Sequence, residues 1–272
     1  MKYIFFGTPE FSAAILEKLI GVGFAPAGVV CNPDQPVGRK KIITPPPTKL
    51  LATKYNIPVF QPEALSISNL QFLISKPEFA VVAAYAKIIP ESVLKMFPGG
   101  VIGVHPSLLP KYRGATPIQS TILAGEKETG VTLYLMDEKV DHGAILTSGK
   151  LQIAESDTYG TLEKKLAELS TILILELLPK FSKGEAKPVP QDDSQATLTK
   201  KFSTDDAYVD LGKDDPILIE RKIRALNPEP GVWTLQQVQG KQKRVKLLES
   251  VISEGKLKLK VIQVEGEKPR SV

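Results

Sequence analysis

Short apolar segments alternate with helical stretches in the first half of the chain, and this alternation limits the fold more than any other feature. Typical pairs are KYIFF before PEFSAAILEKLIGVG, FAVVAAYA before PESVLKMF, and VIGVH before a loop and PIQSTILAG. The apolar segments run without polar interruption, as strands do when helices cover both faces of a sheet. The pattern therefore predicts an α/β fold with a doubly wound, mostly parallel sheet.

The pattern changes towards the C-terminus. GVTLYLM and GAILTSGKLQI predict two further strands, and TYGTLEKKLAELSTILILELLPKF predicts one long amphipathic helix. A polar, proline-containing stretch follows, and after it come one helix and the alternating segments VWTLQQV, KRVKLLESVI and KLKLKVIQV. These last segments are typical of a small antiparallel sheet or barrel. We therefore predict a first domain over 1–187, a linker over 188–201 and a second domain over 202–272.

Composition excludes several classes of protein. The chain has a single cysteine, Cys31, so no intramolecular disulfide can form, and two histidines are too few for the usual Cys/His zinc sites. No apolar run reaches the roughly 18 residues of a membrane span, and Pro9 interrupts the N-terminal apolar segment before it resembles a signal peptide. We expect a cytoplasmic protein that needs no metal and has no membrane contact. The formal net charge of +5 is compatible with a polyanionic partner.

Several motifs of catalysis and nucleotide binding are missing. FFGTPEFS lacks the G-x-G-x-x-G of a dinucleotide site, and neither a G-x-S-x-G elbow nor an H-E-x-x-H zinc motif occurs. His105 and Asp141 draw attention instead, because both fall at ends of predicted strands, where open α/β sheets bind ligands. A histidine oriented by a carboxylate can act as a general acid or stabilise a charged carbonyl oxygen. A core histidine satisfied by a backbone carbonyl is an equally good interpretation.

One long segment, from His105 to Leu146, closely resembles the signature of the tetrahydrofolate-dependent formyltransferases; it begins HPSLLPKYRGATPIQ and ends MDEKVDHGAIL. FFGTPEFSAAILEKLI, PVGRKKIITPPPTKLLA, VVAAYAKIIP and IRALNPEPGVW are similar to further segments of that family. The resemblance implies a Rossmann-like formyltransferase domain followed by a small, shortened OB-like β-barrel. It also implies an enzyme that transfers the formyl group of N10-formyltetrahydrofolate to the α-amine of methionyl initiator tRNA during translation initiation.

The resemblance further implies roles for individual residues. His105 becomes the catalytic histidine, and Asp141 becomes the carboxylate that orients it. The residues that match the family's folate contacts are Ala86, Lys87, Ile89, Ser107, Leu108, Leu109, Pro110, Asp137 and Val140. The family's inserted basic loop approaches the acceptor end of the tRNA, and the residues that match it are Arg39, Lys40, Lys41 and Lys49. A solvated, proline-stiffened loop is the alternative interpretation of those four charges.

One position departs from the family pattern. The family has an asparagine two residues before the catalytic histidine, whereas this chain has Gly103, so the side-chain amide that would share the oxyanion is missing. Loss of one such donor raises the activation barrier by about 3–4 kcal/mol. A slower enzyme, a site that uses a backbone N–H or a water, and an inactive variant all fit this difference. We hypothesise that Gly103→Asn raises turnover.

Two other functions stay open at this level. One is a folate-dependent N-formyltransferase that acts on a small amine such as an amino-sugar nucleotide, which the basic loop and IRALNPEPGVW argue against. The other is a catalytically impaired RNA-binding homologue, prompted by Gly103 and opposed by the presence of both His105 and Asp141. For either function, as for the formylation of tRNA, we expect a monomer.

Overall fold

The structure, a computed structural model, describes residues 2–38, 40–70, 77–238 and 240–272. The chain divides into two compact units. The first unit consists of Met1–Gly114, Thr129–Leu151 and Glu163–Leu198, and the second of Ala115–Glu128, Gln152–Leu162 and Thr199–Val272.

The described part of the chain contains fifteen β-strands. They are β1 (Tyr3–Gly7), β2 (Gly28–Val30), β3 (Gln35–Val37), β4 (Ile42–Thr44), β5 (Val59–Phe60), β6 (Phe79–Ala83), β7 (Val101–His105), β8 (Arg113–Gly114), β9 (Glu128–Leu135), β10 (Ile145–Gln152), β11 (Leu198–Thr199), β12 (Trp233–Val238), β13 (Lys241–Ser253), β14 (Lys256–Val264) and β15 (Arg270–Ser271).

Seven α-helices occur in the same described residues. They are α1 (Glu10–Gly21), α2 (Pro47–Lys54), α3 (Ile67–Leu70), α4 (Glu91–Leu94), α5 (Pro117–Ala124), α6 (Tyr159–Ser182) and α7 (Pro216–Leu226). Local sequence explains where some of them begin and end. Proline occupies the first turn of α2, α5 and α7, where its missing N–H has no intrahelical partner to lose. Gly125 ends α5 in the left-handed conformation, with a φ of 71°.

The main sheet has the strand order β10-β9-β7-β6-β1-β2-β5. The five neighbouring strands β7, β6, β1, β2 and β5 all pair in parallel. Strand β9 runs antiparallel to β7. Every residue of β1, β6 and β7 is buried, as expected for strands covered on both faces. The prediction of a mostly parallel α/β sheet is therefore confirmed.

Within the second unit, β12 to β15 form an antiparallel sheet in chain order. Helix α7 begins at an aspartate cap, where the side chain of Asp215 accepts a hydrogen bond from the amide of Ile217 at 2.9 Å. The predicted C-terminal domain of antiparallel strands is confirmed. In the described residues β12 and β15 are the two edges of this sheet and do not pair with each other, so the sheet is open.

Membrane insertion through a helix has no structural basis in the described residues, because none of their helices is both long and apolar enough to span a bilayer.

Candidate active site

Strand β7 brings the two most informative positions of the sequence onto one face of the sheet. Gly103 and His105 are two residues apart, so both point to the same side of the strand. On the antiparallel neighbour β9, Tyr134 lies opposite Gly103 and Thr132 lies opposite His105. These four positions therefore share one face, and the site is built on two paired strands rather than on loops alone.

His105 is buried, with 5% of its surface exposed, and each ring nitrogen faces a protein oxygen. Nε2 lies 2.8 Å from the carbonyl oxygen of Tyr112, and Nδ1 lies 3.5 Å from Oδ2 of Asp141. A carbonyl and a carboxylate both accept hydrogen bonds, and a neutral imidazole donates from one nitrogen only. The structure thus contains both arrangements that the sequence left open: the backbone carbonyl of a core histidine and the carboxylate of a catalytic pair.

Asp141 is held from several directions. Its Oδ2 accepts a hydrogen bond from the amide of Gly114, and its Oδ1 accepts one from the hydroxyl of Tyr134, each at 2.7 Å. The backbone of Asp141 has a left-handed φ of 48°, a conformation that aspartate tolerates better than most residues. Its carbonyl accepts a hydrogen bond from Nε2 of Gln191 at 2.9 Å. Both the carboxylate and the backbone that carries it are therefore fixed beside His105.

The ring of Tyr134 fills the space beside Gly103. A Cβ atom added to Gly103 would lie 2.5 Å from Cζ and 2.8 Å from the hydroxyl oxygen of Tyr134, whereas carbon atoms in contact are normally about 3.5–4.0 Å apart. Tyr134 is itself buried, with 3% of its surface exposed, so its ring is packed against other protein groups. The asparagine side chain does not fit while Tyr134 keeps this position, so we replace the hypothesis that Gly103→Asn raises turnover by the opposite expectation.

Burial raises the pKa of Tyr134 well above its ordinary value of 10.0, and the charge of Asp141 and the hydrogen bond to it raise this pKa further. The phenol therefore keeps its proton near neutral pH and donates it in the hydrogen bond to Asp141.

A second layer of polar residues surrounds the loop that carries Asp141. Arg113, which is buried, donates to Oε1 of Gln191 from Nε at 3.1 Å and from Nη2 at 2.7 Å. Nη2 of Arg113 also contacts Oδ1 of Asp193 at 2.7 Å, and this hydrogen bond is the main reason why the pKa of Asp193 lies below its ordinary value. His142 links Asp193 to Asp137 through Nε2 and Nδ1 at 3.4 and 2.6 Å.

The sequence pattern does not predict this layer, because Gln191 and Asp193 belong to the stretch predicted as a linker. In the structure that stretch packs on the site: the amide of Arg113 donates to the carbonyl of Thr197 at 2.8 Å, and Val189 forms a bridge with Ile145. No periodic pattern in the local sequence predicts these contacts. Polar residues that order a segment through long-range hydrogen bonds resemble, in sequence, the polar residues of a free linker.

Comparison with known proteins shows which family the chain belongs to. The sequence matches the formyl transferase family over residues 1–178 and the C-terminal domain of formyl transferases over residues 201–269. A methionyl-tRNA formyltransferase from Halalkalibacterium halodurans is 44% identical over 237 residues, which are 86% of this chain and 74% of that relative. The chain belongs to the formyl transferase family. It is an enzyme that transfers formyl groups.

Solved structures support the fold of this formyltransferase. A methionyl-tRNA formyltransferase from Clostridium thermocellum superimposes with a TM-score of 0.65 at 17% identity, covering 97% of this chain and 98% of that chain. HypX from Aquifex aeolicus in complex with tetrahydrofolic acid superimposes with a TM-score of 0.71 at 17% identity, covering all of this chain and 46% of that chain. At these identities the likeness concerns the fold alone.

The residues of the formyltransferase predicted to contact folate lie in different environments. Ala86 is exposed, with a left-handed φ of 63°, and Val140 is exposed on the loop before Asp141. Nζ of Lys87 donates to the carbonyls of Pro62 and Glu63 at 3.0 and 2.9 Å. The remaining predicted contacts are buried or partly buried, namely Ile89, Ser107, Leu108, Leu109, Pro110 and Asp137.

Ser107 is completely buried, and its hydrogen bonds are internal. Its hydroxyl donates to the carbonyl of Lys111 at 2.7 Å, its amide donates to the carbonyl of His105 at 2.9 Å, and its carbonyl accepts from Thr132 at 2.8 Å. Ser107 therefore fixes the turn that follows the histidine. Its role towards folate stays a prediction, as do the roles of the other predicted contacts.

The four basic residues predicted to contact tRNA are also not alike. Lys40 and Lys41 are exposed in the turn between β3 and β4, whereas Arg39 lies outside the described residues. Lys49 lies on α2 and donates to both carboxylate oxygens of Asp34 at 2.8 Å. The positive charge of Lys49 is thus already partly neutralised.

Metal binding finds no support in the ranges that the structure describes, because no group of three or more histidine, cysteine, aspartate or glutamate side chains there is arranged to hold an ion.

Proposed function

We propose that this formyltransferase transfers the formyl group of N10-formyltetrahydrofolate to the α-amine of methionine on the initiator tRNA. The observation that carries the proposal is the pairing of His105 with Asp141 in a chain that is 44% identical to a methionyl-tRNA formyltransferase over 86% of its length. The same comparison favours this acceptor over a small amine. The buried histidine and the carboxylate that Gly114 and Tyr134 hold beside it favour an active enzyme over an impaired RNA-binding homologue.

Two polar atoms support a folate site near Ala86 and Lys87. Among the described residues, Oδ1 of Asn32 and the hydroxyl of Tyr85 are buried and have no hydrogen-bond partner. The two residues are neighbours, because Nδ2 of Asn32 donates to the backbone carbonyl of Tyr85 at 3.3 Å. Buried polar atoms are normally satisfied, so a ligand with several ring N–H and C=O groups, such as a pterin, is a suitable partner. The residues present therefore fit a folate.

The chemistry follows from what the paired side chains can do. N10-formyltetrahydrofolate supplies the formyl carbon, and the methionyl amine forms a new C–N bond as the bond to N10 breaks. Asp141 accepts the proton that the attacking amine loses, directly or through a water, and this proton is passed to the departing N10. His105 donates a hydrogen bond to the formyl oxygen while that oxygen carries negative charge.

The geometry of His105 indicates which nitrogen does this. The contact from Nε2 to the carbonyl of Tyr112 is short at 2.8 Å, whereas Nδ1 lies 3.5 Å from Asp141, at the limit of a hydrogen bond. We therefore assign Nδ1 to the formyl oxygen and Nε2 to anchoring of the ring; because both nitrogens then donate, His105 takes part as the imidazolium, beside the carboxylate of Asp141. A contact within a catalytic pair, such as that between Nδ1 of His105 and Asp141, is often long before substrate binds.

Basic residues before α2 are proposed to bind the tRNA. Lys40 and Lys41 are exposed and adjacent in the chain, so they can neutralise neighbouring phosphates.

We also propose the domain limits 1–187, 188–201 and 202–272, a monomeric state and a cytoplasmic location.

The proposal is tested by single-turnover transfer from N10-formyltetrahydrofolate to methionine-charged initiator tRNA, with free methionine and an amino-sugar nucleotide as competing acceptors. We expect transfer to the charged tRNA alone, and a collapse of the rate in His105→Ala. His142→Ala removes the other histidine and serves as the matched comparison, which should lose far less activity. Preferred transfer to the sugar nucleotide, or no transfer despite binding of both substrates, would contradict the proposal.

A further inference from the structure

Gly103 and Tyr134 form a complementary pair across β7 and β9. Gly103 has no side chain, and the ring and hydroxyl of Tyr134 occupy the space where a side chain would begin. The hydroxyl oxygen is 2.8 Å from the position of a Cβ on Gly103. The tyrosine can therefore reach this point only because residue 103 is a glycine.

From that point the hydroxyl of Tyr134 reaches Asp141. It donates to Oδ1 at 2.7 Å, while Gly114 donates to Oδ2 at 2.7 Å and leaves that oxygen 3.5 Å from Nδ1 of His105. A carboxylate held by one oxygen can rotate about its Cβ–Cγ bond. With a donor on each oxygen, the plane of the carboxylate is fixed and Oδ2 is kept on the side of His105.

We propose that Tyr134 is a positioning residue for formyl transfer: it uses the space left by Gly103 to hold the Asp141 carboxylate beside His105. This inference rests on the proposed function, because it concerns the orientation of the pair that carries out that reaction. Gly103 lacks the amide donor of the family's asparagine, and the residue opposite it, Tyr134, contributes a different hydrogen-bond donor to the same site.

A role in packing alone would require only the aromatic ring. The hydroxyl, however, is buried with the rest of the side chain and finds a charged partner, and such hydrogen bonds are stronger than those between neutral groups. The raised pKa of Tyr134 keeps its proton in place. The two roles are thus distinguished by removal of one oxygen atom.

Tyr134→Phe makes this test. The ring stays and Asp141 loses one donor, so we expect kcat to fall roughly ten- to hundred-fold while the KM values for folate and for tRNA stay near native. Tyr3→Phe is the matched control: Tyr3 is equally buried, and its hydroxyl donates to the carbonyl of Phe24 at 2.6 Å, with no contact to the site. Both variants are compared with the native chain by thermal unfolding.

Gly103→Ala provides a second test that leaves the hydroxyl in the chain. The new methyl group would collide with the ring and the hydroxyl of Tyr134 and displace the hydroxyl from Asp141, so kcat should fall in this variant as well. In the double variant Gly103→Ala/Tyr134→Phe, the loss should be close to that of one single variant, because both changes break the same hydrogen bond. Losses that multiply would overturn the proposed link between Gly103 and Asp141.

The outcomes separate this inference from the function on which it rests. If the native chain does not formylate charged initiator tRNA, the proposed function fails. If the native chain is active and Tyr134→Phe has the kcat of native and of Tyr3→Phe, the function stands and the positioning role is overturned. If Gly103→Ala does not fold, the comparison of Tyr134→Phe with Tyr3→Phe decides the inference.

Discussion

The site around His105 and the basic turn between β3 and β4 are built in opposite ways. At the site, His105 and Tyr134 are buried. The carboxylate of Asp141 accepts hydrogen bonds from Gly114 and Tyr134 and lies 3.5 Å from Nδ1 of His105. In the turn, Lys40 and Lys41 are exposed, and neither forms an ion pair within the described residues. One region offers fixed atomic positions, and the other offers charge.

This difference indicates how each region should respond to mutation. In a buried cluster, removal of a single donor or acceptor atom is costly, because its former partner is left without a hydrogen bond and cannot reach water. Attraction between exposed lysines and phosphates depends on charge and on salt, and it tolerates changes of geometry. The site should therefore control the rate of the chemical step, and the turn should control the affinity for tRNA.

The largest effect is expected from Asp141→Asn. The two oxygens of Asp141 accept from Gly114 and Tyr134, whereas an asparagine has one oxygen to offer and no charge. We expect kcat to fall by about a hundredfold or more, measured as the single-turnover rate at saturating substrates. A near-native rate in the folded variant would show that the carboxylate is not used in the reaction.

Gly103→Asn is expected to have the next largest effect. Its side chain collides with the ring of Tyr134, so it should lower the free energy of unfolding by about 1–3 kcal/mol and also reduce turnover. Denaturant unfolding and the transfer rate measure the two effects. A variant with native stability and faster turnover would contradict the packing described for this pair.

Lys40→Ala/Lys41→Ala should change binding and not chemistry. If each lysine neutralises one phosphate, the slope of log affinity against log salt concentration becomes less steep by about 1.5 to 2. Filter binding of charged tRNA over a series of salt concentrations gives this slope. An unaltered slope would mean that the turn is only a solvated surface.

Lys49→Ala should have the smallest effect on tRNA affinity, because Lys49 is already bound to Asp34. Its effect should instead appear in stability. The hydrogen bond from Lys49, with another from Gln61, lowers the pKa of Asp34 below its ordinary value of 3.8. The pair therefore stabilises the fold fully above that ordinary value, and the stabilisation is lost as the pH falls through the lower pKa of the folded state. Thermal unfolding of native and Lys49→Ala protein at neutral and acidic pH measures this, and equal differences at all pH values would contradict it.

Much of the first unit follows from local sequence. The continuous apolar segments that predict β1, β6 and β7 are buried along their whole length, so the sequence pattern and the environment agree. His105 and Asp141 do lie close together, as predicted, but only His105 ends a strand, β7, whereas Asp141 lies in the loop between β9 and β10. The buried strands are the features that adjacent residues determine.

The partner of Gly103 could not be predicted in the same way. Tyr134 lies opposite it because of the register of β7 against β9, and no local pattern specifies that register. The same holds for Gln191, whose hydrogen bonds to the loop of Asp141 span 50 residues. In the second unit, alternation predicts β12 to β14, but whether their sheet closes depends on where its edges lie in space.

One measurement most directly tests whether the buried site controls the chemical step and the basic turn controls tRNA binding. It is the single-turnover formyl-transfer rate as a function of the concentration of methionine-charged initiator tRNA. We predict that His105→Ala lowers the maximal rate and leaves the half-saturating tRNA concentration near native. We predict that Lys40→Ala/Lys41→Ala raises that concentration and keeps the maximal rate. A normal maximal rate in His105→Ala, or a lysine variant that loses maximal rate with unchanged half-saturation, would contradict the assignment of chemistry to the buried site and of tRNA binding to the exposed turn.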